Sequence, residues 1–263
     1  MIGELTSRVV AMPELPEVEH ARALLEEHCC PRASKGKGKG KGKRKHIEKV
    51  VETDPPDEKI VSVGAFSSLA ASLEGRVVER VRRKGKYLWL ELDARPSVVC
   101  HLGMTGSFVV RGVKPASYKS FAVDEEAWPP RFWKVLLEFS DGTEVAYVDA
   151  RRFGKVHLKQ DPESEKPISD LGPDAWLELP PLEDFRALLA KKAPAIKAVL
   201  LNQAVLSGIG NWVADEVLVS PTIISNSSSE RKTSHPNHCH PTCISLTQYT
   251  HTLLTVCPVL PFF

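Results

Sequence analysis

Between residues 77 and 158 the chain alternates apolar and polar side chains in short runs, each cut off by turn residues. This pattern constrains the fold more than any other feature, because it excludes a helical bundle. The runs Val77–Arg83, Tyr87–Leu92, Val98–Leu102, Ser107–Val110, Val135–Phe139, Glu144–Val148 and Lys155–Leu158 each predict a strand. Asp141-Gly142 between two of them is a hairpin signal. Many short half-apolar strands bury their apolar faces best in two layers, so a β-sandwich with flanking helices is expected. Residues 16–29, with Val18, Ala21, Leu24 and Leu25 set among charges, predict the first helix. A shorter helix fits Phe66–Leu73, ended by Gly75.

From Leu182 the period becomes helical. Leu182–Lys191 and Ala195–Gln203 predict two helices, and the turn Leu206–Asn211 leads into a third over Trp212–Val217. Gly208 and Gly210 make that turn tight enough for its amides to face an anion. Residues 219–263 are rich in Ser, Thr, Pro and His and show no amphipathic period, which predicts an unstructured tail. Val199, Leu200, Val213 and Val217 are then expected to lack downstream packing partners.

The net charge is only +2, so any basic surface must be local. Residues 31–45 supply one: eight positive charges on a Lys-Gly repeat without an acid. Such a segment builds no core and is expected to be a disordered insertion. It reads equally as a phosphate-binding loop, a nuclear address or a solvated insertion. No apolar run reaches the length of a membrane span. Met1–Ala11 lacks the apolar core of a signal peptide. The cysteines Cys29, Cys30, Cys100, Cys239, Cys243 and Cys257 form no framework, which points to a reducing compartment.

Five strings carry chemistry. The first is Met12-Pro13-Glu14-Leu15-Pro16-Glu17-Val18-Glu19. It reads blandly as a helix start, with Pro16 and acids in the first turn. The second, Arg82-Arg83-Lys84-Gly85-Lys86-Tyr87-Leu88-Trp89-Leu90-Glu91-Leu92, puts Lys86 where a strand begins, fit to meet a phosphate or only solvent. The third, His101-Leu102-Gly103-Met104-Thr105-Gly106, sets Met104 in a glycine turn, a poor place for a core residue. The fourth is Asp149-Ala150-Arg151-Arg152-Phe153-Gly154, and the fifth runs from Ala195-Ile196-Lys197 through Ser207-Gly208-Ile209-Gly210-Asn211-Trp212-Val213-Ala214-Asp215-Glu216.

Together and in this order the strings resemble the formamidopyrimidine-DNA glycosylases, over roughly 12–30 and 76–218. The resemblance implies an α+β fold: an N-terminal β-sandwich catalytic domain over 12–160 with flanking helices, then a partial helix-two-turns-helix DNA-binding domain over 175–218. It implies a bifunctional DNA glycosylase and abasic-site lyase that excises oxidised purines. Pro13 is then the amine nucleophile, Glu14 the proton carrier and Lys86 a catalytic lysine beside the lesion and its phosphates. Met104 would fill the gap left by the flipped nucleotide, Arg151 would meet the orphaned base and Phe153 would wedge the stack. Lys197 and Asn211 would hold phosphates, and Glu216 would be a buried acid that organises the turn. The same resemblance makes residues 1–11 an extension, since Pro13 preceded by a residue has an amide nitrogen that cannot attack. Translation is therefore expected to start at Met12; the alternative is a catalytically inactive, truncated DNA-binding isoform.

No cofactor is expected. Cys239-x3-Cys243 with its neighbouring histidines does not match the paired Cys-x2-Cys spacing of the zinc finger in bacterial relatives, and the wording of the second string is closer to the plant-type relatives that lack it. Damaged double-stranded DNA is the expected partner, a monomer the expected state and the nucleus the expected location.

Overall fold

This computed structural model describes residues 13–31, 45–114, 127–190 and 195–219. The extension 1–11 with Met12, most of the Lys-Gly segment and nearly all of the 219–263 tail lie outside the described residues. The chain divides into two compact units, with the boundary between Ser169 and Asp170.

The first unit opens with α1 (Leu15–Cys29), which starts where Pro16 presets φ and where the Glu14 and Glu17 side chains cap each other's backbone N–H groups. There follow β1 (Ile47–Glu52), β2 (Val61–Ser62), α2 (Leu69–Leu73), β3 (Val78–Lys84), β4 (Tyr87–Leu92), β5 (Ser97–His101), β6 (Gly106–Val110), β7 (Trp133–Phe139), β8 (Glu144–Asp149) and β9 (Lys155–Lys159). One sheet has the order β1-β7-β8-β6; the other has β2-β9-β5-β4-β3. All pairs are antiparallel except β2 with β9.

The core lies between the sheets. Leu88, Leu90, Val98, Cys100 and Val156 of one meet Phe108, Val135, Leu137, Val145 and Tyr147 of the other. Val18, Leu25, Leu69 and Leu73 add the inner faces of α1 and α2. The expected sandwich is thus present. It also contains β1 and β2, which the alternation did not reveal, while α2 is shorter than expected because Ser68 caps it by accepting from the Ala71 N–H at 3.0 Å.

The second unit contains α3 (Leu182–Ala190), α4 (Ile196–Leu201) and α5 (Asn211–Val219). α4 packs on α5, and Val199, Leu200, Val213 and Val217 are all at most 5% exposed. The expectation that these four would be left without downstream partners and so exposed is corrected on their exposure: they are buried, while residues 220–263 lie outside the described residues. α4 also ends earlier than expected: the Asn202 side chain accepts from the Ala204 N–H at 3.1 Å and turns the backbone out of the helix.

Candidate functional site

The β3–β4 turn has two residues, Gly85 and Lys86, with a positive φ of 56° at Gly85, and it presents Lys86 at the end of the hairpin. α1 is fastened to the same hairpin. Arg83, with a side chain that is 0% exposed, donates to Glu19 at 2.8 Å and to the Gly85 carbonyl at 3.0 Å. Glu26 accepts from the Val81 N–H at 2.5 Å. These contacts fasten the middle and the end of α1 to the hairpin that carries Lys86, while Glu14, buried at the helix start, and Glu17 lie near enough to act on its charge. Burial lowers the Lys86 pKa, and the negative charges of Glu14 and Glu17 oppose that shift.

Beside Lys86 stands His101, which pairs with Tyr87 across β4 and β5 and lies 4.7 Å from it, ring to ring. Burial, Lys86 and His157 bring the His101 pKa down to about 4, so the imidazole is neutral near pH 7. Its Nδ1 accepts from the Gly103 N–H at 3.1 Å, which leaves the proton on Nε2. The imidazole thereby links the Lys86 hairpin to the Gly103–Thr105 turn that carries the half-buried Met104.

The turn in its own right touches the loop after β8. A Cβ on Gly103 would come within 2.4 Å of the Phe153 backbone, so only glycine fits there. Arg151 and Phe153 are exposed, and the Arg151 guanidinium lies 5.2 Å from the Phe153 ring centre. Between them Arg152 adopts a φ of 58° and donates to both oxygens of Asp57 at 2.7 and 2.8 Å. With Lys134 at 3.2 Å as well, Arg152 holds the Asp57 carboxyl down at about 2. The Lys86 hairpin, the His101–Gly103 contact and the Gly103–Phe153 contact thus link the turns that carry Lys86, Met104, Arg151 and Phe153 within the first unit.

Lys197 and Asn211 belong to the second unit. Lys197 is half-exposed and pairs with Asp215 at 2.5 Å; Asn211 is exposed at the first residue of α5. Glu216 is exposed, so it is not the buried acid expected to organise the turn. Gln203 does that work. Its amide donates to the Leu201 and Ile209 carbonyls at 3.0 and 2.8 Å and accepts from the Gly208 N–H at 2.9 Å. The buried acid is Asp174, which accepts from the Trp176 and Leu177 N–H groups at 2.9 and 3.0 Å. His101 and Asp149 open two of the five strings, yet neither residue type at those positions signals a role on its own. Asp57, in a Pro-rich stretch, gave no signal at all.

The family model of the formamidopyrimidine-DNA glycosylase N-terminal domain matches residues 12–156, and that of the H2TH domain matches residues 171–239. A formamidopyrimidine-DNA glycosylase of Arabidopsis thaliana is 44% identical over 213 residues, covering 81% of this chain and 51% of the relative. One from Herpetosiphon aurantiacus is 33% identical over 207 residues, covering 79% of this chain and 66% of the relative. The chain therefore spans about half the length of the Arabidopsis relative and about two thirds of the bacterial one. The structure of Lactococcus lactis Fpg with DNA containing an abasic site superposes with a TM-score of 0.67 at 22% identity, covering 94% of this chain and 77% of that one. The same protein's complex with Fapy-dG-containing DNA gives 0.67 at 23%, covering 93% and 78%. At this identity the superpositions establish the fold.

Proposed function

The chain belongs to the formamidopyrimidine-DNA glycosylase family, and on that premise we propose that it excises oxidised purines from duplex DNA and cleaves the resulting abasic site. The observation that carries the proposal is that the pairing of the buried Arg83 with Glu19 fastens α1 to the Lys86 hairpin, with Glu14 at the helix start close enough to act on the charge of Lys86. An amine at Pro13 attacks C1′ of the damaged nucleotide. The C1′–N bond breaks and the base departs with a proton. Opening of the sugar ring gives an iminium between Pro13 and C1′. Loss of a C2′ proton then expels the 3′ phosphate, and a second elimination expels the 5′ phosphate. Glu14 moves protons during ring opening and elimination. Lys86, with its charge opposed by burial, meets a phosphate as a point charge.

The chemistry requires Pro13 to be the mature N-terminus, with translation from Met12 and removal of that Met. A free α-amine has a pKa of about 7.7–8.0, so a useful fraction is neutral near pH 7. Borohydride trapping on abasic-site DNA tests this. A protein beginning at Pro13 is expected to cross-link, and one retaining residues 1–12 is not. Equal trapping by both would contradict the Pro13 assignment. Trapping by neither, with DNA binding intact, would favour the inactive DNA-binding reading.

Met104, Arg151 and Phe153 are proposed to fill and wedge the stack and to meet the opposite base; the contact between their two loops supports joint entry into one duplex. Lys197 and Asn211 are proposed phosphate contacts. Amine and carboxylate suffice for this chemistry, so no metal or other cofactor is proposed. The protein is proposed to act as a monomer in the nucleus, a location the Lys-Gly segment suits as an address.

A further inference from the structure

We infer that Asp149 is a positioning residue: with Thr105 it clasps the Met104 turn to the Arg151–Phe153 loop, so that plug and wedge enter the duplex as one unit. The inference rests on the DNA-repair reading above. Asp149 ends β8, is 0% exposed and lies opposite Gly106 in the pairing of β6 with β8. Its Oδ1 accepts from the Thr105 hydroxyl at 2.5 Å and from the Arg151 N–H at 3.2 Å. Its Oδ2 accepts from the Gly154 N–H at 2.7 Å. Thr105 Oγ1 in turn accepts from the same Arg151 N–H at 3.0 Å. One carboxylate therefore binds the residue after Met104 and the residues on both sides of the Arg152-Phe153 pair.

The surroundings leave this clasp little freedom. Gly103 packs on the Phe153–Gly154 peptide, where a Cβ would meet backbone atoms at 2.4–2.6 Å. A Cβ on Gly154 would reach the Tyr147 hydroxyl at 1.8 Å. The Asp149 N–H is fixed by the Phe132 carbonyl at 3.0 Å, and Phe132 has a φ of 65°. Phe132 and Arg152 are the non-glycine residues with positive φ among the described residues, and both adjoin the clasp. Backbone held in that region persists only where its surroundings over-determine it.

The chemistry calls for a carboxylate. An amide at position 149 has one acceptor oxygen. If it serves Thr105 and Arg151, its NH2 faces the Gly154 N–H, donor against donor. If it serves Gly154, its NH2 faces Thr105 Oγ1, so the Thr105 hydroxyl loses its acceptor and the Arg151 N–H loses one of its two.

The test has two parts. In the free protein, amide hydrogen exchange at Arg151 and Gly154 is compared among the wild type, Asp149→Asn, Thr105→Val and Thr105→Ser. Exchange at those two amides is expected to rise roughly tenfold in Asp149→Asn and Thr105→Val. Exchange at Val99 and Leu137, one in each sheet, is expected to stay at the wild-type rate and so to show that the sandwich remains folded. Thr105→Ser keeps the hydroxyl and is expected to behave as wild type. The second part measures affinity for a lesion duplex against an undamaged one in a cycle of Met104→Ala and Phe153→Ala. Their losses are expected to be non-additive in the wild type and additive in the Thr105→Val background. Unchanged exchange at Arg151 and Gly154, or coupling that survives Thr105→Val, overturns the clasp. A wild-type protein without preference for the lesion overturns the repair reading instead, while the exchange rates still decide the contact.

Discussion

Lys86 carries a charge that burial opposes and two nearby carboxylates favour, and this makes its protonation sensitive to what it meets. Burial lowers its pKa from 10.5 while Glu14 and Glu17 resist. Above the lowered value the neutral amine dominates and no longer attracts a phosphate. A bound phosphate shifts the balance back toward the ammonium. DNA affinity is therefore expected to weaken as pH rises through that lowered value, and binding there should take up a proton. Lys86→Arg keeps its charge and should give a flat profile over the same range in a fluorescence-anisotropy titration; an equally flat wild-type profile would count against the phosphate contact. Glu14→Gln separates chemistry from binding. It is expected to keep DNA affinity and lose base excision by at least about a hundredfold, since general acid–base groups contribute about 10²–10⁴. Binding assays and single-turnover excision on an intact lesion check it, and a large loss of affinity with excision preserved would refute it. At this scale the sequence singles out residues by their turns: Lys86 stands in a two-residue turn and Met104 in a glycine turn, where the structure also places them. It points poorly to side chains that hold other residues in place: Asp149 accepts from Thr105 across 44 residues, and Gln203 bonds backbone groups whose position depends on a turn that no local pattern specifies.

The element that sets the geometry of the site is α1, which rests on an ion pair with little exposure. The Arg83 side chain is 0% exposed and Glu19 is 20% exposed. Arg83→Leu leaves Glu19 its second partner, Arg22 at 2.8 Å, but removes the buried bond to the Gly85 carbonyl. It is expected to lower unfolding free energy by about 1–3 kcal/mol in urea and to loosen the Lys86 turn. A loss below about 1 kcal/mol, typical of an exposed pair, would show that the helix is held by packing alone. The strands of this region were legible where alternation is regular: β4 occupies Tyr87–Leu92, as its pattern indicated. β1 was not legible, because a bulge between Ile47 and Lys49 shifts its register, so that its buried residues, Ile47 and Val50, fall three apart and break the period of two. β2, with two residues, offers no period to read.

The whole molecule has a net charge of only +2, so the proposed attraction to DNA depends on where charge is gathered. The densest gathering is Arg32, Lys35, Lys37, Lys39, Lys41, Lys43 and Arg44, a segment whose composition, and nothing else about it, is legible. The structure fixes its two ends. The Lys45 ammonium donates to the His28 carbonyl, pairs with Asp141 at 3.2 Å and lies 5.4 Å from the Phe139 ring centre. Chain that leaves after α1 therefore returns beside it, and a short Gly-Ser linker can close the same gap. Loop-closure entropy changes slowly with length, so replacing residues 32–44 in this way should leave the melting temperature nearly unchanged. DNA binding separates the possible roles of the segment. Each phosphate it neutralises adds about 0.9 to the slope of log affinity against log salt. If the segment touches the backbone, the replacement lowers that slope by about 1 or more, and the affinity loss is the same for lesion and undamaged duplex, because phosphates carry no base information. An unchanged slope with unchanged affinity would make the segment a solvated insertion in binding, and a changed slope accompanied by lower melting would mean that Lys45 does not pin the ends as its contacts indicate.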